Sequence, residues 1–354
     1  MIDYIKQWIK IRIKYFIDVI KMYDKSIDID LKQGQKYVFI FFAADYNNLG
    51  DIAITYAQEK FIKENLSKEY KIIKIVESET YQWVKAIRKL QVDDVIITLI
   101  GGGNNGSLYE FLEEPRRFIL KFLRKYKIVS FPQSVFFEEE YKYKPYKKAF
   151  LKLCKKCENL ALVAREMNSY NFYKKNCYQN NCLLVPDIVF SLQTEFELFG
   201  QSDKENKVTY ILRDDKEKAL DLNGQLQVID CINKKIKKQQ FLDTCSIKYE
   251  NDIYRLIFDY VDKLKTSKLA VTDRLHGMIL CYLLKLPCIV INNNNDKIKS
   301  TFETWMLHQN YIKMYDVNSG MEELKSIINC LDNITPVQEQ DLTKQFSSLK
   351  ESLK

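Results

Sequence analysis

The chain has 354 residues, too many for one typical compact core and enough for two domains of ordinary size with terminal extensions. With 46% hydrophobic and 13% aromatic residues, ten glycines and six prolines, it is neither disordered nor fibrous. A formal charge of +8 favours anionic partners, but the lysines are scattered and basic stripes with interleaved aromatics are missing. Nucleic acid is therefore excluded as the expected partner, and an anionic small substrate or a membrane surface is left.

Residues 1–33 form the first segment. Ile2, Ile5, Ile9, Phe16 and Ile20 recur near helical spacing with Lys6, Lys10, Lys14 and Lys21 between them, which predicts a basic amphipathic helix. Charge interrupts it too often for it to span a bilayer. Two readings stay open: a helix lying on an anionic membrane face through residues 1–23, and a helix packed against its own domain. No hydrophobic leader with a small-residue cleavage site opens the chain, and the nine cysteines follow no repeated spacing. A cytoplasmic protein with free thiols is expected, peripheral on the inner membrane face if the helix docks there.

From 34 to 200 the pattern is that of an α/β domain. Tyr37 to Ala43 reads as a buried strand, a helix follows from about Ile52, and further strands are expected at Lys71–Val76, Asp94–Ile100, Lys127–Phe131 and Leu160–Ala164. Cys154 and Cys157 make a CxxC, but no second pair stands at zinc-site spacing and the flanks are lysine-rich and helical, so coincidence is the better reading. A polar run near Gln201–Lys207 marks the domain boundary. The second domain, 207–319, is expected to carry strands at Lys207–Leu212, Leu269–Thr272 and Pro287–Ile291 and helices at Asp252–Lys265 and Leu275–Lys285. Residues 320–354 read as two helices, at least one bracing the domains. The fold class is thus α/β, two Rossmann-like doubly wound domains facing a cleft.

Three motifs stand at strand ends. In Asn47-Asn-Leu-Gly-Asp51, Gly50 permits a tight turn and the following helix offers amide donors to an anion, although Asp51 reads equally as a helix cap. Gly101-Gly-Gly-Asn-Asn-Gly106 suggests backbone open to close ligand approach, but it is neither a dinucleotide fingerprint nor a P-loop. Thr272-Asp-Arg-Leu-His-Gly277 carries His276, one of two histidines, and Arg274, suited to gripping a carboxylate or phosphate. The plainer reading there is an Asp273–Arg274 ion pair with His276 capping the helix. Arg165 and Arg213 also follow strands. With Arg274 they would supply several cations for a small polyanion, and His276 a proton. His308, near Trp305, reads as packed or solvated.

Together these residues resemble the polysaccharide pyruvyl transferase family, in its exopolysaccharide and capsule branch. The resemblance runs from about Val38 to Trp305. It rests on Asn48-Leu-Gly-Asp51, Gly101 to Gly106, Phe131-Pro-Gln-Ser134, Ala164-Arg-Glu with Ser169, Val185-Pro-Asp187, Arg213, Asp273 to Gly277, and Lys297 to Trp305. It implies a GT-B-like fold with no required metal and phosphoenolpyruvate as donor substrate rather than cofactor. It implies a glycan or lipid-linked saccharide as acceptor, two of whose hydroxyls close a pyruvate ketal with release of phosphate. On the matching positions, Arg213 and Arg274 look like donor binders, with Arg165 and Lys297 beside them, and His276 like the acid/base. Asn48, Asp51, Gly101, Gly102, Gly103, Asn104 and Asp273 would line the acceptor side or its loops. The run Asn292–Asn295 replaces a more varied loop, and the basic N-terminus is not a family requirement. A nucleotide-sugar glycosyltransferase of the same architecture and an inactive sugar-binding protein remain alternatives; an oxidoreductase is disfavoured by the missing fingerprint.

Overall fold

A computed structural model of the chain describes residues 2–24, 27–198, 203–214, 218, 220–245, 252–293, 296–332, 334–337 and 340–354. Residues 201 and 202 of the expected boundary, and Asn294 and Asn295 of the asparagine run, lie outside the described residues. The chain divides into two compact units: 1–45, 54–188 and 345–354 form the first, 46–53 and 189–344 the second.

The first unit opens with helix α1 (Ile2–Lys21) and continues mostly with alternating strand and helix: β1 (Tyr37–Phe41), α2 (Leu49–Asn65, whose residues up to Ala53 count with the second unit), β2 (Lys71–Ile75), α3 (Thr80–Ile87), β3 (Val95–Leu99), β4 (Gly102–Gly106), α4 (Glu110–Phe122), β5 (Lys127–Phe136), α5 (Lys144–Cys154), β6 (Leu160–Ala164), α6 (Met167–Asn176) and β7 (Asn181–Leu184). The sheet order is β2-β1-β3-β5-β6-β7, all pairs parallel, with β4 pairing β5. Every residue of β1, β3 and β6 is buried, so both faces of the sheet are covered, which is why these strands read as unbroken apolar runs. Gly102–Gly106 was expected as open loop; it is a short strand, because β5 continues past Phe131 to Phe136 and supplies a partner.

The second unit contains α7 (Gln193–Leu198), β8 (Glu205–Ile211), α8 (Leu222–Asn233), β9 (Lys238–Phe241), α9 (Arg255–Lys265), β10 (Ser267–Thr272), α10 (Leu275–Leu283), β11 (Cys288–Ile291), α11 (Lys297–Trp305), β12 (Ile312–Tyr315) and α12 (Met321–Leu331); α13 (Ser347–Leu353) returns to the first unit. Its sheet is parallel with order β12-β11-β10-β8-β9. Its core joins Val208, Val271 and Ile289 of the strands to Val228 and Ile232 of α8 and Leu324 and Ile328 of α12. The strand order reverses between β8 and β10, and the carboxyl ends flanking such a switch point are where open α/β sheets form a crevice. In the first sheet the reversal falls between β1 and β3. Among the described residues no helix is long and apolar enough to cross a membrane.

Candidate active site

In the second unit the switch point is furnished by the two segments that leave β8 and β10. Arg213 follows β8 by two residues and is buried; Thr272-Asp-Arg closes β10 and opens α10, with Arg274 extended at the helix N-cap (φ −108°, ψ 129°). The Thr272 hydroxyl stitches the two strand ends together, donating to the Ile211 carbonyl at 2.9 Å and accepting from the Arg274 amide at 3.0 Å. Asp273 is buried, and its Oδ1 accepts the Arg213 amide at 2.8 Å. Burial pushes its carboxyl up to about 6, against the lowering effect of the Arg213 amide and of the Arg213 and Arg274 charges. Asp273 therefore fixes the backbone of one candidate arginine from the loop that carries the other. The Arg274 guanidinium lies 3.4 Å from Cys245 Sγ and 3.7 Å from the Asp243 carboxylate.

His276 stands in the first turn of α10. Its imidazole lies against Gly50: a Cβ on that residue would come to 2.2 Å of Nδ1. The strand-end glycine of the first motif thus makes room for the histidine of the third. Gly277 meets a similar constraint, since its Cβ would come to 2.4 Å of Thr272 Oγ1. The segment 46–53 is held in the second unit by the Leu49 amide on the Thr244 carbonyl at 2.7 Å. Asn48, not Asp51, caps α2: its Oδ1 accepts the Gly50 amide at 3.0 Å and the Asp51 amide at 3.3 Å. The Asp51 carboxylate accepts the Tyr46 hydroxyl at 3.0 Å. Lys297, half-buried, opens α11; in the described part of the asparagine run, Asn292 bonds Asp296 at 2.6 Å and accepts the Lys299 amide at 3.2 Å. His308 lies beyond α11 and is exposed.

Four of the remaining motifs meet in the first unit as one buried polar network. Arg165 donates to the Ser134 hydroxyl at 2.8 Å and to the Asp187 carboxylate at 2.7 Å, with both charged groups fully buried. The neighbouring Gln133 amide donates to Asn104 Oδ1 at 3.2 Å, and Arg116 donates to the Asn104 carbonyl at 3.0 Å and its side-chain oxygen at 2.6 Å. Glu113 accepts from Arg116 at 3.2 Å and from the Gly106 amide at 3.3 Å. Ser169 accepts the Val135 amide at 2.8 Å, and Glu166 caps α6. Gly101 donates to Gln58 at 3.2 Å. The stretch from Gly101 to Asn104 is thereby fixed beside the reversal point of the first sheet.

A family model described as polysaccharide pyruvyl transferase matches residues 48–295. The chain belongs to the polysaccharide pyruvyl transferase family. It is 33% identical over 322 residues to General stress protein 30 of Bacillus subtilis (strain 168), covering 90% of this chain and 92% of that one. Pyruvyl transferase 1 of Schizosaccharomyces pombe is 26% identical over 294 residues, covering 77% of this chain and 70% of that one. Among solved structures, UDP-GlcNAc 2-epimerase from Methanocaldococcus jannaschii aligns with a TM-score of 0.52 at 12% identity, covering 89% of this chain and 98% of that one. That likeness concerns the fold alone, which is α/β with parallel sheets and GT-B-like.

Within this family member the motif residues divide between the two units: Asn48, Gly50, Asp51, Arg213, Asp273, Arg274, His276 and Lys297 in the second, Gly101 to Asn104 and Arg165 in the first. Three contributors of the second unit escaped sequence reasoning, as did Gln58, Glu113 and Arg116 of the first. Asp243 and Cys245 beside Arg274, and Gln225, which donates to the Arg213 carbonyl at 3.1 Å, stand in polar stretches with no motif around them. Only their placement in the fold identifies them.

Proposed function

We propose that the protein transfers pyruvate from phosphoenolpyruvate onto two hydroxyls of a sugar in a surface-polysaccharide precursor, forming a pyruvate ketal and releasing phosphate. The observation that carries the reading is the pairing of Arg213 and Arg274 at the switch point between β8 and β10, with His276 in the adjoining first helical turn. Two guanidinium groups suit a ligand that bears both a carboxylate and a phosphate, and Lys297 adds a cation at the start of α11. The amino end of α10 favours negative charge at the same place.

In the proposed reaction His276 donates a proton to C3 of the enol, leaving C2 oxocarbenium-like. One sugar hydroxyl adds to C2 and gives up its proton. Phosphate then departs with the C2–O electron pair, held by the arginines, and regenerates an electrophilic C2. The second hydroxyl closes the ring and loses its proton, so that of the two hydroxyl protons one replaces that given to C3 and one leaves with phosphate. Asn48, Asp51 and Asp273 are proposed on the acceptor side. The corresponding roles for Gly101 to Asn104, and donor contact by Arg165, follow from the family resemblance and belong to the first unit. A lipid-linked saccharide is the proposed acceptor form, which would bring the reaction to the inner face of the cytoplasmic membrane.

Thermal unfolding with phosphoenolpyruvate and, separately, with nucleotide sugars tests the donor. A ligand at a hundred times its Kd adds about 2.7 kcal/mol. Stabilisation by phosphoenolpyruvate that disappears in Arg274→Ala is the expected result. Stabilisation by a nucleotide sugar instead would replace the reading with glycosyl transfer.

A further inference from the structure

Helix α1 has two apolar faces, and only one is used. On the inner face the Tyr15 ring stacks on Phe122 of α4 with centroids 6.1 Å apart, Asp18 is buried, as is Met22 just beyond the helix, and Lys10 and Lys14 reach Glu110 and Glu114 at 2.6 Å and 3.6 Å. The helix is thus a fixed part of the first unit. On the outer face Ile5, Ile9, Ile13, Phe16 and Ile20 are exposed by 51%, 52%, 57%, 67% and 58%. At about 100° per residue these five fall within one stripe roughly 80° wide. Lys6 and Arg12, both exposed, stand on its two margins. A surface helix ordinarily turns its apolar stripe inward and its charges outward; this one turns a second stripe, of four isoleucines and a phenylalanine, to the outside, and a contiguous patch of that kind marks an interaction surface.

We infer that this stripe is the surface by which the protein seats on an anionic lipid bilayer, with α1 lying in the interface plane. The argument for lipid is the chemistry of the margins. A cation on each side of an apolar strip matches acyl chains flanked by acidic headgroups. A second copy of the same face would set the basic margins of one helix beside those of the other. The helix carries five basic and two acidic side chains, and at about 30 Å it is long enough to lie along the surface rather than touch it at a point. Both readings left open by the sequence are then true of the same helix, on opposite faces. The inference deepens the proposal of a lipid-linked acceptor, yet it is tested on lipid alone.

The experiment is flotation of the full chain with vesicles of equal parts phosphatidylglycerol and phosphatidylcholine, and with phosphatidylcholine vesicles, at low and high salt. The protein is expected to float with the anionic vesicles, less so in high salt, and to lose at least tenfold in partitioning when Ile9→Glu and Phe16→Glu are combined. Lys6→Glu with Arg12→Glu should lower anionic binding while leaving the weaker binding to phosphatidylcholine unchanged. All four side chains are exposed, so the thermal midpoint of each variant should match that of the parent. Absence of flotation, or equal flotation of the Ile9→Glu/Phe16→Glu variant, overturns the inference. So does a dimer in sedimentation that this variant abolishes, which would give the face to a second copy. Stabilisation by phosphoenolpyruvate is read independently, so failure of one proposal leaves the other standing.

Discussion

His276 and Gly50 are in contact such that the absence of a side chain at one is a condition for the position of the other, with an added Cβ falling 2.2 Å from the imidazole Nδ1. Gly50 lies in the first turn of α2, where alanine would ordinarily stabilise the helix by about 0.5–1 kcal/mol. Gly50→Ala should therefore leave the fold intact and displace the histidine. Phosphate release from phosphoenolpyruvate should fall more than tenfold, about 1.4 kcal/mol of barrier, with little change in thermal midpoint. Undiminished turnover would separate His276 from the chemistry.

Asp273 gives a pH dependence with a definite sign. Its carboxyl is raised by burial from 3.8 to about 6, so between those values the native state binds a proton that the unfolded state releases. The group's contribution is fully present below about pH 4 and is lost as pH rises through about 6. The ceiling is about 3 kcal/mol. In Asp273→Asn an oxygen still accepts the Arg213 amide but nothing titrates. Urea unfolding of both proteins from about pH 4 to about pH 7 should show the parent losing more stability than the variant. Parallel profiles would mean that this carboxyl is not desolvated as described.

The network behind Gly101 to Asn104 yields an ordering. Burial raises the Glu113 carboxyl even though Arg116 and Arg117 oppose the shift. Glu113→Gln keeps an acceptor for the Gly106 amide and should cost about 1 kcal/mol. Arg116→Met strips donors from both Asn104 oxygens and from Glu113 at once, and should cost about 3–5 kcal/mol. Denaturant midpoints decide it; a larger loss in Glu113→Gln would assign the network's stability to the carboxylate charge.

The sheets were legible where a strand is buried on both faces, as at Tyr37–Phe41, Val95–Leu99 and Cys288–Ile291, because continuous apolar runs admit few other readings. Lys238–Phe241 was missed: it is an edge strand of polar residues that only pairing with β8 makes extended. Gly102–Gly106 was missed for the same reason, its strand character being conferred by β5. Of the site, the arginines and His276 could be picked out because they follow strands and carry chemistry. The hydroxyl of Thr272, which joins β8 to β10, and the packing of Gly50 on His276 could not, since both connect segments far apart in the chain.

The same limit applies to Arg165, which follows a strand and, taken together with Arg213 and Arg274, is expected from the sequence to face a ligand. Its guanidinium is instead 2.7 Å from Asp187, both groups out of solvent. A buried pair of this kind contributes little net stability, but removing one partner leaves an uncompensated charge. Arg165→Met should cost about 3–5 kcal/mol in chemical unfolding, whereas Arg165→Met combined with Asp187→Leu should recover most of that loss. Donor binding then separates structure from recognition. If the double variant is as stable as the parent and still responds to phosphoenolpyruvate, Arg165 serves the fold of the first unit alone; if it is stable and the response is gone, the guanidinium also contacts the donor.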